Sequence, residues 1–196
     1  ARHGNDLVLC HIRRDKRERI REDGVKRGNA CGFQAVRKTL KNLSLALRAL
    51  KIVADGTDAQ VLKGIRHAAE KEGAMVELVA PTVGGFEASS GDWIEADHMI
   101  DGGPSVLFDA VALVLSEEAA NRLIGESTAR DFVADAFAHC KFIGFTAGAM
   151  ALLAKAGIEP EMDEGLIPLD NARAATDFVA SCRKLRIWAR EDTVKL

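Results

Sequence analysis

Tyrosine is absent from this sequence, tryptophan occurs twice and cysteine four times. The cysteines, Cys10, Cys31, Cys140 and Cys182, are widely scattered. They form no CxxC and no Cys/His pair at zinc spacing, which argues against a zinc site or a disulfide framework and for ordinary thiols in a reducing compartment. No uninterrupted apolar stretch approaches the roughly 20 residues that cross a bilayer. The start of the chain lacks the basic, apolar and small-residue pattern of a secretion signal. The expectation is a cytoplasmic protein with no membrane partner.

The small net charge of −2 hides an asymmetry. Residues 1–50 carry 13 Lys/Arg against 5 Asp/Glu, and the remainder carries 14 against 24. After an apolar piece from Leu7 to Ile12, the run Arg13 to Asp23 has almost nothing to bury, as in a solvated helix or a disordered arm. A nucleic-acid arm would use the same Lys and Arg on phosphates. Acids interrupt this run and no aromatic residues interleave with it, so no nucleic-acid partner is expected. Phe33 to Leu50 has the pattern of one amphipathic helix. Residues 1–49 therefore read as a basic, weakly patterned arm.

From residue 50 the texture changes to alternating strand and helix signals. Leu50 to Ala54 reads as a strand, and Asp58 as the N-cap of a helix carrying Val61, Leu62, Ile65 and Ala68 and ending at Gly73. Met75 to Ala80 is the next strand, completing a βαβ unit. The Gly84-Gly85 and Gly102-Gly103 doublets imply turns, and Asp92 to Ala96 suggests an edge strand. His98 stands near Asp97 and Asp101 in sequence; a metal is the sharper reading, but three polar groups in a loop read as a hydrogen-bonded turn, so no metal site is expected. Ala110 to Leu115 is continuously apolar, as in a parallel strand covered on both faces. Helical patterns follow at 117–124 and 127–139, then a strand at 141–145 and a helix at 147–156 ended by Gly157. Glu159 to Glu164 form an acidic loop, and Asp170 or Asn171 caps a last helix reaching about Lys184. The order implies an α/β fold with a mainly parallel central sheet.

Phe142-Ile143-Gly144-Phe145-Thr146-Ala147-Gly148 is where a central strand turns into a helix at the ligand-binding edge of such a sheet. A strained turn of this kind is a nucleophile elbow when Ser or Cys sits at its apex. The apex here is Thr146. Its hydroxyl needs a base to attack anything, and no His, Asp or Glu stands beside it in sequence, so the reading is a helix cap rather than a nucleophile.

The segments Val53-Ala54-Asp55-Gly56-Thr57-Asp58, Val79-Ala80-Pro81-Thr82-Val83-Gly84-Gly85, Ala96-Asp97-His98, Gly102 to Val111 and Arg183 to Glu191 together resemble the C-terminal domain of large-subunit (clade 2 type) catalases. The resemblance spans about residues 50–191 in unbroken order. It implies a flavodoxin-like three-layer sandwich related to the class I glutamine amidotransferase-like superfamily, whose enzymes carry a reactive Cys where Thr146 stands. Cys140 is no substitute, lying about 20 Å away at the other end of the strand. In the parent family haem is bound and hydrogen peroxide dismutated by a separate barrel domain with a proximal tyrosine ligand. This sequence has no tyrosine and no segment like that barrel, so no cofactor is expected in this chain.

The resemblance thus implies a non-catalytic accessory domain of the oxidative-stress response, acting in stabilisation, subunit docking or chaperone-like binding. A small stress hydrolase or deglycase of the same superfamily is the alternative. Expected partners are a second copy, a catalase core or unfolded client proteins. The tail residues Ile187, Trp188 and Arg190 are the candidate interface, because aromatic and Arg side chains favour interface centres; packing of Trp188 against its own domain is the competing reading. Residues 1–50 depart from the family, as a lineage-specific arm or as the product of a truncated or frame-shifted gene.

Overall fold

The computed structural model describes residues 48–194; the apolar piece at 7–12, the charged run at 13–23 and most of the helical pattern at 33–50 lie outside them. The end of that helical pattern is instead strand: β1 spans Arg48–Val53. There follow α1 (Ala59–Lys71), β2 (Met75–Ala80), β3 (Phe86–Glu87), β4 (Trp93–Ile94), β5 (His98–Met99) and β6 (Ala110–Val114). The chain continues with α2 (Glu117–Leu123), α3 (Ser127–Ala138), β7 (Phe142–Phe145), α4 (Met150–Lys155), β8 (Leu166–Pro168) and α5 (Ala172–Ser181).

Six strands form one sheet in the order β5-β2-β1-β6-β7-β8, and every pairing in it is parallel. The five longer strands follow the flavodoxin-type doubly wound order, whose direction of winding reverses between β1 and β6. Strands β6 and β7 are buried at every position, so successive side chains feed opposite layers. Val111, Leu113, Ile143 and Phe145 pack with residues of α2, α3 and α4. Ala110, Ala112, Val114 and Phe142 pack with residues of α1 and α5. The result is the three-layer sandwich expected.

Local chemistry sets the helix starts. Asp58 Oδ1 accepts from the Gln60 and Val61 amides at 2.7 and 3.2 Å, and Asn171 Oδ1 from Arg173 and Ala174, both at 3.0 Å. Ser116 Oγ accepts from Ala119 at 3.2 Å, and Glu117 and Glu118 follow in the positive first turn of α2. Gly73 takes φ +68 just past the end of α1, the left-handed backbone that ends helices.

One sequence expectation needs correction and one strand is added to the sheet. The strand within 92–96 is real, but β4 pairs antiparallel with β3 in a separate hairpin, and β5 forms the edge of the main sheet instead. The sheet also holds β8, to which the sequence pattern assigns no element; it joins β7 through Ile143 opposite Leu166 and ends at Pro168, which cannot donate to a further ladder.

Candidate functional site

The turn after β7 is chemically closed. Leu115, just past the end of β6, donates its amide to Thr146 Oγ1 at 3.0 Å, and that hydroxyl donates to Leu115 O at 2.9 Å. Leu113 O lies 3.3 Å from the same hydroxyl and accepts the Thr146 amide at 2.9 Å. Thr146 makes no side-chain capping bond to the following helix. The expected cap is therefore corrected: the hydroxyl fastens the end of β6 to β7. The apex backbone is relaxed as well, with φ −85 and ψ 159, extended values rather than the strain of a nucleophile elbow.

A short 3-10 turn at Ala147–Ala149 then leads into α4. Gly148 allows this turn to lie directly on the β6–α2 link: a Cβ there would come within 2.4 Å of Leu115 O and 2.7 Å of the Glu117 amide nitrogen. The adjoining crevice, about 540 Å³, is lined by Leu115, Ser116, Glu117, Gly148 and Met150 among others. Glu117 is its one titratable group, and no thiol or imidazole joins it. Cys140 precedes β7 and is buried at the opposite end of the strand.

The switch point between β1 and β6 is also stitched shut. Thr57 Oγ1 accepts from the Ala54 amide at 3.1 Å and lies 2.6 Å from Ala54 O and 2.8 Å from Val114 O. Beside it is a crevice of about 130 Å³ lined in part by Asp55, Phe86, Arg122 and Glu126. Arg122 is engaged there with Glu118 at 2.6 Å and Asp55 at 3.6 Å.

Around His98 the side chains make structural contacts. Asp97 Oδ2 accepts the Leu78 amide at 2.7 Å, and His98 Nε2 lies 2.8 Å from Glu77 Oε2 with its ring beside Phe108. Among the described residues no group of three His, Cys, Asp or Glu side chains could hold a metal ion. A haem needs an axial donor facing a cavity. No histidine or cysteine lines either crevice, and the lone thioether of Met150 is a poor donor set, so neither of these two crevices fits a haem.

The three tail residues separate. Trp188 is 71% exposed, whereas Ile187 and Arg190 are 4% and 1% exposed. Ile187 and Arg190 are thus corrected from contact surface to internal anchors. Arg190 Nε and Nη2 donate to Asp163 Oδ2 and Oδ1 at 2.5 and 2.8 Å. Its Nη1 donates to Lys141 O at 2.8 Å, and the guanidinium lies 4.2 Å over the Phe137 ring. Lys141, which sequence reasoning passed over, is itself 1% exposed and donates from Nζ to Ser105 O at 2.5 Å. Burial pushes its pKa down to about 8, Arg186 adds to this, and Asp109 and Asp135 oppose it. Its position directly before an all-apolar strand was the available signal.

Residues 41–192 match the family described as the C-terminal domain found in long catalases. The chain belongs to that family. Catalase C of Rhizobium meliloti is 55% identical over 150 residues, covering 76% of this chain and 21% of its own length. Catalase-B of Dictyostelium discoideum is 31% identical over 145 residues, 73% of this chain and 21% of its own. This long-catalase C-terminal domain thus spans about a fifth of the length of those relatives. Its fold is similar to that of a mutant of Schizosaccharomyces pombe DJ-1, with TM-score 0.59 at 13% identity over 76% of this chain and 96% of that one. At that identity the likeness speaks for fold alone.

Proposed function

We propose that this chain is a non-catalytic accessory domain that docks on and stabilises the peroxide-dismutating portion of a long catalase. The observation that carries the reading is the state of Thr146. Its hydroxyl is consumed by Leu115 on both the donor and the acceptor side, while the strands and capped helices around it form a complete sandwich. A hydroxyl nucleophile needs a base in reach to take its proton; this proton is directed at the Leu115 carbonyl and no base is among its partners, which disfavours the hydrolase or deglycase reading. Haem chemistry then belongs to the portion that the relatives contain and this chain does not match.

A chaperone-like role is the second reading. It is favoured by large apolar side chains in solvent on separate parts of the surface, Val83 and Trp93 on one and Trp188 on another. The free, buried thiols of Cys140 and Cys182 suit a reducing, cytoplasmic setting. Among the described residues no helix is long and apolar enough to cross a membrane.

The test is a domain exchange. Catalase C of Rhizobium meliloti with its matched 150 residues replaced by residues 41–192 of this chain should retain dismutation through heating as well as the native enzyme does. Heat inactivation as fast as that of a form lacking the region altogether would overturn the stabilising role.

A further inference from the structure

Val106, Leu107 and Trp188 stand in solvent at the edge where the parallel strands begin, as does Met75 at the start of β2. Val106 and Leu107 are each 54% exposed and Trp188 is 71% exposed. Their two carriers, the 3-10 turn Ser105–Leu107 and the tail helix Trp188–Thr193, are tied to the same strand entrance. Lys141 Nζ donates to Ser105 O at 2.5 Å, and the Ile187 amide donates to Cys140 O at 2.7 Å. Arg190 Nη1 closes the triangle on Lys141 O at 2.8 Å.

Trp188 is held in place, since Ile187 immediately before it and Arg190 two residues after it are both buried. Gly165 makes room for both anchors: a Cβ there would come within 2.5 Å of Ile187 and 2.7 Å of the Arg190 guanidinium. An aromatic side chain fixed by buried neighbours has little backbone entropy left to lose when it is covered. That pre-organisation is what an interface anchor requires.

Chain direction says what covers it. β1 begins at Arg48, opposite Met75 at the start of β2, and Ala49 stands opposite Ala110 at the start of β6. The polypeptide therefore enters the sheet at this same edge. The domain is C-terminal in its family, and the matched region is 21% of Catalase C, so the remainder of such an enzyme leads in from this side. We propose that Val106, Leu107 and Trp188 form the surface that seats on the preceding portion of a long catalase, with the Trp188 indole entering an apolar hollow there. This assignment rests on the docking reading above.

The experiment is hydroxyl-radical footprinting of the 196-residue chain and of Catalase C carrying residues 41–192 by exchange. Val83 and Trp93, 84% and 63% exposed on the segment after β2, serve as internal references at the opposite edge. The expected result is at least fivefold slower labelling of Trp188, Val106 and Leu107 in the exchanged enzyme, with Val83 and Trp93 unchanged. Trp188→Asp in the exchanged enzyme should restore fast labelling of Val106 and Leu107. Protection confined to Trp93, or no protection at Trp188, would overturn the assignment, as would an exchanged enzyme that fails to assemble. Protection at Trp93 in place of Trp188 would overturn this surface while leaving docking in place, whereas no protection at any of these residues would overturn docking itself, so the two failures are distinguishable.

Discussion

Arg190 grips Asp163 with two hydrogen bonds, Nε to Oδ2 at 2.5 Å and Nη2 to Oδ1 at 2.8 Å, and the arginine side chain in this pair is wholly buried. The planar fork of guanidinium on carboxylate is the geometry that makes Arg irreplaceable by Lys at such a site. Removing one partner leaves the other as an uncompensated buried charge, which typically costs about 3–5 kcal/mol. Arg190→Met is expected to destabilise the chain by that amount in urea unfolding and to open the 186–194 tail to protease. Arg190→Lys should recover less than half of the loss.

The same pair makes a pH prediction. Burial acts most strongly on the Asp163 carboxyl and would raise its pKa, but the Arg190 hydrogen bond, the Gly165 amide and the Arg190 charge together outweigh it and hold the group below its ordinary value. A depressed folded value contributes stability that is complete above the unfolded pKa, about 3.9, and lost as pH falls through the folded one. Unfolding free energy measured from pH 5 downward should therefore fall less steeply in Asp163→Asn than in the parent.

Lys141 gives a slope of the same sign in a more alkaline window. Its pKa is pushed down to about 8 in the folded chain, against about 10.4 for an unfolded lysine. Between those values the unfolded chain binds more protons, so stability rises with pH across that window, by roughly 3 kcal/mol at most. Lys141→Met should abolish the rise, as read by denaturant midpoints at pH 7.5 and pH 10.

Thr146→Ala removes the acceptor of the buried Leu115 amide as well as a donor. An unsatisfied buried group costs about 1–3 kcal/mol, more than the loss of an exposed helix cap. Thr146→Ser keeps the hydroxyl and should recover most of that loss in thermal unfolding.

Trp188→Ala is expected to leave the stability of the isolated chain within about 0.5 kcal/mol of the parent, since the ring is 71% exposed and touches no core. Differential scanning calorimetry of the two chains checks this.

The fold was legible wherever local signals agreed. Asp58 and Asn171 stand where capping chemistry places them, and β6 reads as a buried parallel strand because all five of its residues are apolar. β8 was illegible because three residues ending in Pro168 carry no period; its identity comes from pairing with β7. The site was less legible than the fold because its contacts are distant in sequence. Thr146 meets its partner 31 residues back, Arg190 finds Asp163 27 residues back and Lys141 O 49 back. Composition marks Arg190 as a surface residue, and only those partners make its burial affordable.

The claim that this domain acts without chemistry at its strand-to-helix turn is tested most directly by assaying the purified chain and Thr146→Ala side by side. The substrates are hydrogen peroxide with added haemin, an activated aryl ester, a peptide and a glyoxal-modified amine. The account predicts no rate above the buffer and haemin controls for either protein. A reproducible turnover by the parent chain that disappears in Thr146→Ala would contradict it.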